Sequence, residues 1–120
     1  MSTILIVDDV RTDREVLGRM VEATGNQVVF ASNGEEALIQ ARTLRPALVL
    51  MDVVMPGLDG FGACRRLKKE PETAHIPVVL ITFKSSETDQ FWGRKQGADE
   101  YLIKPYNQDQ IKQVIKRFVS

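Results

Sequence analysis

Five short apolar runs recur along the chain, each parted from the next by an amphipathic stretch, and this alternation leaves few folds open. The runs are Thr3–Val7, Gln27–Ala31, Ala47–Met51, Val78–Ile81 and Glu100–Ile103. Three of them contain uninterrupted apolar tetrads, ILIV, LVLM and VVLI. A strand of that kind has no face to offer water, so it belongs inside a sheet covered on both sides. The stretches between carry helical spacing. Leu17, Met20, Val21 and Thr24 form one stripe, with Gly25 as its stop. Ser32 and Asn33 ahead of Glu35 and Glu36 give a capping-box start to a second helix, whose stripe is Ala37, Leu38, Ala41 and Leu44 and whose end is Pro46. Asp59 caps a third helix bearing Ala63, Cys64 and Leu67. A fourth runs from Glu87 to Gln96 and stops at Gly97. The fifth has Ile111, Val114, Ile115 and Phe118 at i, i+3, i+4 and i+7.

Five strand–helix units in succession predict an α/β fold. Right-handed crossovers place helices on both faces of a parallel sheet. The expected architecture is a flavodoxin-like, doubly wound (βα)5 domain with strand order 2-1-3-4-5, spanning residues 1–120 as one domain with no output domain. A length of 120 residues suits one core.

Ligands on such sheets bind beyond the carboxyl ends of the strands. Here those ends are acidic: Asp8 and Asp9 follow ILIV, and Asp52 follows LVLM. With strands 1 and 3 adjacent, the three carboxylates converge and repel one another unless a cation lies between them. Thr82 follows VVLI, and Lys104, followed by Pro105, ends the fifth run. Mg²⁺ takes oxygen ligands and keeps several waters, so two or three carboxylates suit it. The third carboxylate is then free to attack a phosphoryl group, and Asp52, alone at its strand tip, is the choice of nucleophile. Lys104 would pair with phosphoryl oxygens as a point charge, and the Thr82 hydroxyl would donate to another of them. Transfer of this kind needs mainly positioning and charge neutralisation.

These residues resemble the receiver domains of response regulators in bacterial two-component signalling. The match rests on Asp8–Asp9, on Asp52 within MDVVMPGLDG, on Thr82, and on Lys104–Pro105, in register over essentially the whole chain. The resemblance implies phosphorylation of Asp52 by a chemotaxis-type histidine kinase. It implies Mg²⁺ held by the Asp9 and Asp52 side chains and the Val54 carbonyl, with Asp8 acting through water, and a cis Lys104–Pro105 bond. It makes Thr82 and Tyr101 switch residues that alter the face formed by the fourth helix, fifth strand and fifth helix, and so the affinity for a motor, scaffold or effector. The segments VVMPGLDGF and WGRKQGADEYLIKP resemble stand-alone receivers of type IV pilus chemotaxis-like systems, which serve twitching motility or phototaxis. One position departs from the family. The residue after Thr82 is usually small, but here it is Phe83, which predicts slow phosphorylation by small donors and a slowly decaying phosphorylated form.

Other readings are weaker. A lone acidic pair would more often cap a helix. An aspartyl-phosphate hydrolase usually carries Asp-x-Asp after its first strand, whereas Asp8-Asp9-Val10 stands here, with no inserted cap for a substrate. The chain is therefore expected not to be an enzyme beyond its own phosphorylation and dephosphorylation. A phosphorylation-independent interaction module remains open because of Phe83. No glycine-rich phosphate loop follows the first strand. The 16 basic and 16 acidic residues cancel, so bulk charge holds neither nucleic acid nor membrane. Cys64, the only cysteine, has no disulfide partner within the chain. No apolar stretch approaches a membrane span, and a cytoplasmic monomer is expected. Phe91 and Phe118 are expected in the core, Arg65, Arg66, Lys68 and Lys69 on a solvated helix face, and Trp92 against the fifth helix or on the output face.

Overall fold

The computed structural model describes residues 1–119. Its elements run β1 (Thr3–Val7), α1 (Arg11–Glu22), β2 (Gln27–Ala31), α2 (Gly34–Leu44), β3 (Leu48–Met51), α3 (Gly60–Lys69), β4 (Val78–Thr82), α4 (Glu87–Lys95), β5 (Glu100–Ile103) and α5 (Gln108–Phe118). All strand pairs are parallel and the order is β2-β1-β3-β4-β5, as expected. The flavodoxin-like α/β fold is therefore the fold of this chain.

The continuous apolar runs fill both layers. Leu5, Val7, Val49, Met51, Val78 and Leu80 face α2 and α3, while Ile4, Ile6, Leu48, Leu50, Val79 and Ile81 face α1 and α5. Burying each Leu, Ile or Val is worth about 1.5–3 kcal/mol, far more than the tenths separating helix propensities, so two apolar faces decide the architecture. α5 answers the periodic stripe: Ile111, Val114 and Ile115 are buried, and Asn107 with Gln110 closes a capping box at its start. α2 keeps only part of its expected box. Asn33 accepts from the Glu36 N–H, but the Glu36 carboxylate takes the Ser32 hydroxyl instead of the cap backbone.

Some expectations shift. Thr82 is the last residue of β4, paired with Ile103, and not the residue beyond it. Thr24 lies past α1, its hydroxyl donating to the Val21 carbonyl, and Leu44 is exposed at the end of α2. Phe91 is exposed rather than in the core. α4 meets the sheet through Gly93, where an added Cβ would meet the Tyr101 ring at 2.7 Å. At about 100° per residue, Phe91 stands nearly opposite Gly93 on the helix and so points to water. Phe118 reaches only the rim of the α1/α5 layer. Among the described residues no helix is long and apolar enough to cross a membrane.

Candidate functional site

β1 lies between β2 and β3, and its ladder with β2 continues to Asp8 while that with β3 continues to Asp52. The Asp8 N–H donates to the Ala31 carbonyl (3.1 Å) and the Asp52 N–H to the Val7 carbonyl (2.9 Å). Both side chains are thereby fixed at the carboxyl edge of the sheet. The loop after Asp52 is held from below. Gly60, the first residue of α3, donates its N–H to the Val53 carbonyl, and a Cβ there would strike the Asp52 carbonyl. Asp59 caps α3, as expected, by accepting from the Gly62 N–H. On the far side, the Lys104 N–H donates to the Thr82 carbonyl (2.8 Å), and the Lys104–Pro105 bond is cis.

The Lys104 ammonium joins these edges. Its Nζ lies 3.0 Å from Asp52 Oδ2, 3.1 Å from Asp8 Oδ2 and 3.4 Å from Asp13 Oδ2. The lysine side chain is only 8% exposed, so these contacts are weakly screened. Burial alone lowers the pKa of a lysine, yet the Asp52 and Asp8 carboxylates together outweigh it and raise that of Lys104. Burial also pushes the Asp8 carboxyl above its ordinary pKa, against the Val10 N–H and Lys104, which pull it back. Three carboxylates against one ammonium leave the cluster short of positive charge. Asp9 is exposed beside them.

That deficit bears on a metal. Among the described residues, no three His, Cys, Asp or Glu side chains form a ready-made cage. Mg²⁺ needs none, since it binds through one or two carboxylates and retains waters. Asp52 Oδ1 accepts only a long 3.3 Å bond from the Val54 N–H, and Asp9 faces solvent, so an oxygen-rich site of the right charge is available. The residues fit a hydrated divalent cation.

Thr82 is fully buried, and its hydroxyl accepts from the Lys84 N–H (3.3 Å). Tyr101 donates its hydroxyl to the Lys84 carbonyl (2.7 Å). The two expected switch residues therefore hold the two ends of one residue in the β4–α4 loop. Burial, with Asp89 and Asp52 nearby, pushes the Tyr101 phenol up to about 12, so it stays a donor at neutral pH. Phe83, between them, is 69% exposed, and its ring centroid lies 5.5 Å from Lys104 Nζ, within cation–π range. With Asp13, Lys104 and Tyr106 it lines a cleft of about 210 Å³ beside the acidic cluster.

Sequence reasoning missed Asp13 and Arg14. Arg14 donates to the Asp8 carbonyl (2.7 Å) and fixes the turn into α1, where Val10 provides no side-chain cap. Their signal was position: both lie in the first turn of α1, which starts at the same edge. Trp92, expected against α5 or on the output face, stands half-exposed on α4 and lines a groove with α3. Lys68 is not a solvated cation. Its Nζ pairs with Asp99 at 2.9 Å and donates to the Ile76 carbonyl.

Comparison with known proteins gives consistent relatives. The family described as "Response regulator receiver domain" matches residues 4–116. Protein PilH of Pseudomonas aeruginosa is 48% identical over 120 residues, covering all of this chain and 99% of PilH. Several other curated relatives are longer, and the chain spans less than half of their length. Among solved structures, the Vibrio cholerae chemotaxis protein CheY4 superposes with a TM-score of 0.92 at 27% identity, over 99% of both chains. The receiver domain of a Pseudomonas aeruginosa sensor histidine kinase, with a magnesium ion coordinated in its active-site cleft, superposes with a TM-score of 0.91 at 26% identity, over 98% of this chain and 96% of that one.

Proposed function

The chain belongs to the response regulator receiver domain family of two-component signalling, and from that premise we propose that it is a phosphoryl-operated switch with Asp52 as the acceptor. The observation that carries the proposal is the buried Lys104 ammonium shared between Asp52 and Asp8 at the sheet edge. It presets positive charge beside the one carboxylate best placed to attack. Asp9, Asp52 and the Val54 carbonyl would hold Mg²⁺, with Asp8 acting through water. The bound ion supplies charge neutralisation between the nucleophile and the incoming phosphoryl oxygens.

An Asp52 carboxylate oxygen forms a bond to the phosphorus of a phosphohistidine on a chemotaxis-type kinase. The phosphorus–nitrogen bond breaks, its electron pair stays on the imidazole, and that nitrogen takes up a proton from water. The product is an acyl phosphate. Lys104 keeps its ion pair to the new group, and the Thr82 hydroxyl turns its proton toward it. The accompanying movement of the Thr82 side chain draws its oxygen from the Lys84 N–H and shifts the residue whose carbonyl holds Tyr101. With its anchor on Lys84 altered, the half-buried Tyr101 ring repacks against α4, and the α4–β5–α5 face changes for its partner. The protein converts no other substrate, so it acts as a switch and not as an enzyme in the usual sense. Full-length similarity to PilH supports a role in type IV pilus motility or taxis, and the proposed setting is the cytoplasm, with a motor, scaffold or effector as the target.

Beryllofluoride, a tetrahedral mimic of a bound phosphoryl group, tests the switch directly. With Mg²⁺ it should shift the amide resonances of Thr82, Lys84 and Tyr101 together, and Asp52→Asn should abolish all three shifts. Movement at Thr82 without movement at Tyr101 would break the proposed coupling through Lys84.

A further inference from the structure

α3 and α4 enclose a groove of about 520 Å³ that the phosphoryl chemistry does not use. Helices in this fold run against the strands, so the C-terminal ends of α3 and α4 lie at the sheet edge opposite Asp52. Arg65 and Lys69 line the groove from α3, and Trp92 and Lys95 line it from α4. Lys68 is consumed by Asp99 and the Ile76 carbonyl. Among the described residues, Arg65, Lys69 and Lys95 form no ion pair. Lys69 and Lys95 close their helices, and cations there offset the helix dipole. That reading leaves two features over. Arg65 stands one turn before Lys69 on the same helix, a like-charge spacing that disfavours the helix. Trp92 leaves half of its surface in water between these cations.

We propose that this groove docks a short acidic segment of a partner protein, whose carboxylates pair with Arg65, Lys69 and Lys95 and whose apolar side chain lies on the Trp92 indole. An indole ringed by cations suits an acidic, partly apolar strand, as aromatic and arginine side chains dominate protein–protein contacts. Three cations are too few for nucleic acid, which is held by a longer basic track. Carboxylates at the opposite edge of the sheet would repel an extended polyanion as well. The occupant is therefore a peptide segment that a compact groove can hold, and its docking does not depend on the state of Asp52.

Trp92 is the only tryptophan in the chain, so its fluorescence reports on the groove alone. The probe is a blocked peptide of four glutamates flanking one leucine, titrated at low salt into the full chain. A saturable change in Trp92 emission is expected, weakened by added salt. Arg65→Glu with Lys69→Glu should weaken it by roughly tenfold or more, since attraction becomes repulsion. Lys95→Glu, on the other helix, is a second variant should the first lose its fold. Asp52→Asn should bind like wild type, so failure of the phosphoryl-switch reading would leave this result standing. The proposal is overturned by no saturable change at millimolar peptide, by an equal response in the charge-reversed variants, or by an equal response to the peptide with lysine in place of glutamate. A response confined to polyphosphate or to phosphatidylglycerol vesicles would overturn it too.

Discussion

Phe83 puts a ring over Lys104 where a small side chain would leave the phosphoryl site open, and the effect of that single choice can be read directly. Phe83→Ala is expected to load faster from a small phosphodonor and to lose its phosphoryl group several-fold faster, both followed by intact mass against time. Equal loading and equal half-lives would remove the ring from the account. Asp8 offers a test by pH. Burial raises its pKa in the folded state, so the unfolded chain releases this proton at lower pH than the folded one. Between the two pKa values the folded state binds more protons, and stability falls as pH rises through that window. At neutral pH the ionised Asp8 is then a standing cost. Asp8→Asn, which keeps an acceptor for the Val10 N–H and leaves Lys104 its bonds to Asp52 and Asp13, should have a higher urea midpoint than wild type in EDTA. The gain should be largest near pH 7 and shrink toward pH ~4, the ordinary carboxylate range. A gain independent of pH would mean that desolvation of Asp8 is not its source.

At the scale of elements, α4 shows most clearly where sequence reading stops. Apolar runs name strands because a doubly covered strand has no alternative, and a stripe such as that of α5 names the face that packs. α4 buries only Gly93 among its nine residues, so its sequence ETDQFWGRK contains no stripe to say which side meets the sheet. Phe91 drew the reading toward the core, whereas the contact is made by the residue with no side chain. Asp13 eluded the sequence for a different reason, since its contact with Lys104 spans 91 positions and no local pattern encodes it. The five residues at the strand tips were legible because each sits directly beyond, or closes, an apolar run. The Gly93 contact also carries a prediction. Gly93→Ala would drive a methyl group into the Tyr101 ring, and overpacking of this kind costs about 1–3 kcal/mol. Chemical denaturation should show that loss, and the Tyr101 hydroxyl should leave the Lys84 carbonyl. Unchanged stability with unchanged Tyr101 resonances would mean that α4 is not clamped to β5 through this glycine.

The whole molecule has no net charge but distributes its charge unevenly, with carboxylates gathered around Lys104 at one sheet edge and, between α3 and α4 at the other, cations that form no ion pair among the described residues. The fold explains the separation. Parallel strands deliver all their C-terminal residues to one edge, and helices that run back against them deliver basic last turns to the opposite one. The acidic edge holds the central claim, that one carboxylate there accepts a phosphoryl group with a divalent cation. Its most direct measurement is intact mass after incubation with Mg²⁺ and a small phosphodonor, with Asp52→Asn and Phe83→Ala in parallel. The account predicts one added phosphoryl group on the wild type, more complete loading of Phe83→Ala, and none on Asp52→Asn or without Mg²⁺. Addition that persists in Asp52→Asn, or none even in Phe83→Ala, would contradict it.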